Sequence, residues 1–195
     1  MGNGLDIAER RCVLAFHAGT LDSPRKLAKL SREFVQARIG GTSIDSTIRR
    51  LSNLAQKFDC KMAWSSADDA LDLAGEPHQR IITIFDPDYP ALLCEISASP
   101  VLLDVNGNPT ALHDPQVAIV GSRKASHYGT EAAFQFARML SERGFTFTKR
   151  GFTVTNGLAA GIRGSAHRGA LDSGGRTVAV YGCGIDRIYP ARHKA

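Results

Sequence analysis

The run Val117-Ala-Ile-Val-Gly-Ser-Arg123 sets the frame for the rest of the chain. Four apolar residues in succession read as a short strand buried on both faces, the pattern of parallel sheets. The strand passes directly into a glycine-bearing loop. A helix is expected next, from about Tyr128 to Arg143, with Ala132, Ala133, Phe136, Ala137 and Leu140 on one face. Phe152-Thr-Val-Thr155 then reads as a second strand and enters Asn156-Gly-Leu-Ala-Ala-Gly161. A second helix spans about Gly164 to Asp172 and ends at Gly174-Gly175. Thr177-Val-Ala-Val-Tyr181 is a third strand, running into Gly182-Cys-Gly184. Strands alternating with helices predict an α/β fold with a parallel sheet and right-handed crossovers.

Three strands that each end in a glycine loop have a chemical consequence. In an open parallel sheet, ligands bind outside the C-terminal ends of the strands. Glycines there let backbone N–H groups approach a ligand, and the helix expected to begin near His127 adds a positive dipole end. Arg123 supplies a fixed charge with a two-pronged fork for phosphate oxygens. The arrangement predicts a phosphate-sized anion site. Neither G-x-G-x-x-G after the first strand nor a Walker A pattern is present, which argues against ordinary dinucleotide binding and against a P-loop ATPase. His167, in Gly164-Ser-Ala-His-Arg-Gly169, reads either as a ligand contact or loop support, or as a histidine hydrogen-bonded within the fold. Asp186 could cap a loop. The basic end Arg192-His-Lys194 follows the rigid Tyr189-Pro190 turn, and on charge alone it reads as a solvated chain end.

Residues 1–75 read as a small helical module. Ser23-Pro24 is a helix start, and Leu27, Leu30, Phe34 and Val35 form a stripe that Gly40-Gly41 ends. Ser43 or Asp45 could cap a second helix carrying Ile44, Ile48, Leu51, Leu54, Ala55 and Phe58. A third runs from Ala67 to Leu73 and closes at Gly75. Residues 76–116 connect the two parts. Arg80-Ile-Ile-Thr-Ile-Phe85 and Pro100-Val-Leu-Leu-Asp-Val105 read as strands, separated by the turn Asp86-Pro-Asp-Tyr-Pro90 and closed by Asn106-Gly107.

The whole chain has 195 residues and a net charge of +5, a mild bias toward polyanionic partners. Its four cysteines (Cys12, Cys60, Cys94 and Cys183) are scattered and form no CxxC pair, which argues against a zinc site or disulfide framework. The start of the chain carries neither a secretory nor a myristoylation pattern, and no apolar run approaches the ~20 residues of a membrane span. A cytoplasmic protein with reduced, buried thiols is expected.

Taken in order, Val117–Arg123, Thr155-Asn-Gly-Leu-Ala-Ala-Gly-Ile162, Ala166-His-Arg-Gly-Ala-Leu171, Gly174–Asp186 and Ile188-Tyr-Pro190 resemble the DprA/Smf family. Phe85-Asp-Pro-Asp-Tyr-Pro-Ala-Leu-Leu93 and Pro100-Val-Leu-Leu103 are also similar to the segment that leads into its main domain. The resemblance covers about residues 80–195, and the N-terminal helices match loosely as the family's SAM-like module. It implies a Rossmann-like sheet, incomplete here, over residues 76–195. It also implies single-stranded DNA binding during natural transformation, loading of RecA, no enzymatic activity and no cofactor or metal. By motif match, Arg123 would contact phosphate and Lys194 would be the second basic contact. Gly121, Ser122, Asn156, Gly157, Gly161, His167, Gly182 and Gly184 would line the path of the strand.

Three departures from the family pattern stand out. Arg163 replaces the aspartate expected after Gly161-Ile162, and either disturbs loop support or adds a DNA contact. Arg143-Gly-Phe-Thr-Phe-Thr-Lys149 is nearly repeated as Arg150-Gly-Phe-Thr-Val-Thr-Asn156. Because side chains alternate along a strand, only one copy can hold the register, and the second copy is expected to be the strand and the first an extended loop. The chain stops just after Lys194, so a truncated member is expected, with the surface for a possible homodimer in the missing part. The other reading is a nucleotide phosphoribohydrolase or sensor resembling the lysine-decarboxylase-like family, whose Pro-Gly-Gly-x-Gly-Thr motif is absent here.

Overall fold

The computed structural model describes residues 5–20, 32–33, 35–36, 40, 46, 49–50, 53, 61–75, 77–142, 151–180 and 182. The expected helices between 23 and 58 therefore lie almost entirely outside the described residues, as do the first copy of the repeat, Gly184, Asp186 and Lys194. The chain divides into two compact units, Met1–Asn108 and Pro109–Ala195.

The first unit holds helices α1 (Ile7–Thr20) and α2 (Lys61–Leu73) and strands β1 (Gln79–Thr83) and β2 (Leu102–Asn106). A reciprocal capping box opens α1. Asp6 N–H donates to Glu9 Oε2 and Glu9 N–H donates to Asp6 Oδ1, both at 2.8 Å. Strands β1 and β2 pair antiparallel, from Gln79 opposite Asn106 to Thr83 opposite Leu102. They form a sheet of their own rather than joining the parallel one. Leu14, Ala15 and Ala67 from the helices pack with Trp64, Leu71, Ile81 and Leu102. Across this unit Arg10 grips the carboxylate of Asp86 with both prongs, and Asp86 also accepts from the Thr83 N–H and hydroxyl. The turn it begins is anchored by Tyr89, whose hydroxyl donates to the Pro100 carbonyl at 2.6 Å.

The second unit is built from β3 (Gln116–Ala118), α3 (His127–Ser141), β4 (Thr153–Asn156), α4 (Ile162–Asp172) and β5 (Thr177–Ala179). The sheet is parallel with order β3-β4-β5, so the fold is the expected α/β type. The second copy of the repeat supplies β4, with Val154 opposite Val117 on one side and Thr177 on the other. At the N-terminal ends of the strands, Asp114 accepts from Arg176 and from the Thr153 hydroxyl, tying β4 and β5 to the segment before β3.

Burial on both faces, expected for residues 117–120, is not what the structure has. Gln116 and Ala118 are exposed, and Val120 is 67% exposed. A sheet that steps in one direction through right-handed crossovers puts both helices on the same face. Accordingly α3 and α4 pack together with Ala137, Val154, Ala166 and Ala170 in one core, joined by Val117 and Ile119. The helices meet closely, because a Cβ added at Gly169 would sit 2.1 Å from the Phe134 carbonyl oxygen. Small residues are therefore needed at the contact. The buried stripe of α3 is Ala133, Ala137 and Ser141, and Phe136, expected in that stripe, is 59% exposed.

Candidate functional site

The C-terminal ends of β3, β4 and β5 lie side by side, so the loops that follow them share one edge. Ser122, Arg123 and Lys124 are exposed there together with Gly121. The Ser122 hydroxyl accepts from the Lys124 N–H at 3.1 Å, which folds the loop back. Ser126 then caps α3, accepting from the Gly129 N–H at 3.1 Å. The helix therefore begins at His127, where the sequence predicts a dipole end beside the loop.

The first and second loops touch backbone to backbone. Ile162 N–H donates to the Ser122 carbonyl at 3.2 Å. Gly161 has φ +75°, and a Cβ built on it would fall 2.3 Å from the Ser122 carbonyl oxygen and 2.7 Å from that of Arg123. No side chain fits between the loops, and none but glycine adopts this φ without cost. The position of the Arg123 backbone thus depends on a glycine nearly forty residues downstream. On the other flank, Val180 N–H donates to the Asn156 carbonyl at 2.9 Å, carrying the ladder to the end of β5, and among the described residues nothing lies within 4 Å of a Cβ added at Gly182.

Asn156 and His167 are interior, 6% and 4% exposed. Asn156 Oδ1 accepts from the Leu158 N–H at 2.8 Å, and its Nδ2 donates to the Arg163 carbonyl at 3.2 Å. His167 Nε2 lies 2.8 Å from the same Oδ1. An amide oxygen only accepts, so Nε2 carries the ring proton and donates. These bonds are directed at the loop itself. They hold Leu158 in the left-handed region, at φ 51°, which a side-chain-bearing residue occupies only when its surroundings impose it.

Of the residues expected at the site, Gly121, Ser122, Arg123, Gly157, Gly161 and Gly182 stand along the edge. Asn156 and His167 stand beneath it. Gly184 and Lys194 lie outside the described residues. Lys124, Ser126 and Tyr128 were not picked out by sequence reasoning; Tyr128 is 83% exposed in the first turn of α3. The Ser-x-x-Gly cap spacing at Ser126 was the signal available for one of them. Among the described residues no cluster of His, Cys, Asp or Glu could hold a metal ion, and no helix is long and apolar enough to cross a membrane.

Comparisons with known proteins place the chain in a family. Residues 80–195 match the family model described as DNA recombination-mediator protein A. The chain is 36% identical to Protein Smf of Escherichia coli over 154 residues, 77% of this chain and 39% of that protein. It is 39% identical to DNA processing protein DprA of Streptococcus pneumoniae over 112 residues, 57% of this chain and 37% of that protein. The crystal structure of the Streptococcus pneumoniae protein superposes with a TM-score of 0.62 at 27% identity, over 91% of this chain and 60% of that one. The chain thus spans about two fifths of the length of these curated relatives. With the family model covering the parallel sheet and every glycine loop at its edge, the chain belongs to the DNA recombination-mediator protein A family.

Proposed function

We propose that the glycine-loop edge of residues 109–195 binds the phosphates of single-stranded DNA, and that the chain serves DNA processing in natural transformation by delivering the bound strand to RecA. The observation that carries the reading is the direct backbone contact between the Gly121–Arg123 loop and Gly161–Ile162. It presents an exposed arginine, an exposed lysine and the capped start of α3 on one surface. Backbone N–H groups, a helix start and a guanidinium together favour an anion. They read no base edge, so the binding is expected to be tolerant of sequence. The named relatives, one of them a DNA processing protein, support the choice of nucleic acid over a small phosphate ester. The role requires no bond to be made or broken, and the chain is proposed to act as a binding protein rather than an enzyme.

The test is fluorescence anisotropy of a labelled single-stranded oligonucleotide with the parent chain and Arg123→Ala at several salt concentrations. Binding that weakens with salt, and a salt slope reduced by about 0.7 in the variant, are expected for loss of one single-strand phosphate contact. A folded parent that does not bind would refute the reading. Delivery to RecA is checked by RecA-dependent strand exchange on DNA coated with a single-strand binding protein. Stimulation by the chain is expected, and its absence would remove that part.

A further inference from the structure

Arg163 has an unusual environment. Its Nε is sealed from solvent and, among the described residues, has no hydrogen-bond partner. None of the ion pairs among the described residues uses its guanidinium. The carbonyl of the same residue is engaged in the loop, accepting from Asn156 Nδ2. The side chain is directed to the edge of the sheet. A Cβ built on Gly157 would lie 3.3 Å from Arg163 Nη1 and 3.4 Å from the Val180 carbonyl oxygen. The guanidinium therefore sits over the first residue after β4, beside the end of β5.

A half-buried arginine without an anionic partner is costly in a folded protein, because the group has lost water without gaining an acceptor. Burial of the stem and Nε also fixes the fork, so that its outer N–H groups lose little freedom when they bind. We propose that Arg163 is a second phosphate-contact residue, which takes a backbone phosphate of the strand on the β4–β5 side of the edge while Arg123 takes one on the β3 side. The inference rests on the proposed single-stranded DNA function and adds a specific path, running across the three strand ends. Charges confined to the β3 loop would leave the strand free to pivot, whereas charges on neighbouring loops set its direction. Gly157 is part of the device: it leaves room for Nη1, and any side chain there would press on it.

The experiment is the same oligonucleotide titration across salt concentrations, with Arg163→Gln, Arg163→Lys, Gly157→Ala and Arg123→Ala, each checked for folding by thermal melting. Arg163→Gln is expected to weaken binding about tenfold, in line with loss of a charge-assisted contact, and to lower the salt slope by about 0.7. Arg163→Lys keeps the slope and recovers part of the affinity. Gly157→Ala keeps the slope and weakens binding a few-fold, because the charge stays but the fork is displaced. If Arg163→Gln binds with the parent's slope while Arg123→Ala does not, the inference is overturned and the DNA function stands. A lowered melting temperature with an unchanged slope also overturns it, since that is the mark of a purely structural residue. If the parent itself shows no salt-dependent binding, the proposed function falls and this inference falls with it.

Discussion

His167 Nε2 donates to Asn156 Oδ1 across 2.8 Å, and through that bond the interior of α4 governs the shape of the loop after β4. The Asn156 side chain has three partners: His167 and the Leu158 N–H at Oδ1, and the Arg163 carbonyl at Nδ2. The two side chains form a support under the glycine edge.

His167→Ala is expected to destabilise the chain by about 2–4 kcal/mol, combining a buried cavity with a lost hydrogen bond. Asn156→Ala should cost at least as much, because it strands two backbone groups as well as the histidine. Since the residues share one bond, the double variant should be less destabilised than the sum by about 0.5–3 kcal/mol. Urea unfolding of the four proteins checks this. Strict additivity would mean that the bond contributes nothing.

Gly161→Ala should cost more than about 2 kcal/mol. The positive-φ backbone, with ψ −129° outside the left-handed helical well, accounts for about 1–3 kcal/mol, and the clash with the Ser122 carbonyl adds to it. The variant should also displace the first loop, so amide NMR shifts at Gly121–Lys124 are expected to move even though the substitution lies in the second. Shifts confined to residues near 161 would show that the loops are not coupled.

The Arg10–Asp86 pair predicts an asymmetry. Asp86 is 5% exposed and serves Thr83 as well as Arg10, whereas the Arg10 side chain is 26% exposed. Asp86→Ala leaves several donors without an acceptor and should cost about 3–5 kcal/mol. Arg10→Ala leaves the carboxylate its bonds to Thr83 and should cost less. Equal losses in denaturant titrations would argue that the ion pair alone, rather than the Thr83 bonds, accounts for the effect.

Ala137→Leu should destabilise by about 1–3 kcal/mol or more, because Ala137 is fully buried in the core that α3 and α4 share. Phe136→Gln, one position away on the exposed side, should stay within about 0.5 kcal/mol. Thermal melting of both variants makes the comparison. A neutral Ala137→Leu would mean that the helices are free to separate.

The strands, the helices and the first two glycine loops of the second unit were legible in the sequence, because short apolar runs and glycines act locally. Repeat copies at 143 and 150 could be ranked by the same logic, and the second does supply β4. Which face of the sheet is covered was not legible. Val117-Ala-Ile-Val120 has the composition of a strand buried twice, and only the same-direction order β3-β4-β5 puts both helices on one side of it. Phe136 was misplaced for a related reason: helical periodicity marks a face, but the close approach at Gly169 decides that alanines and not a phenylalanine occupy it. His167 and Arg163 could be noticed as residue types and no further. Their roles depend on where α4 lies over β4, which is a distance between segments rather than a property of either. The sequence by itself determined the order of the elements and the residues at the strand ends. Tertiary structure decided which of those residues face out as an edge and which lie beneath it as support, because burial and hydrogen-bond partners exist only once the loops have met.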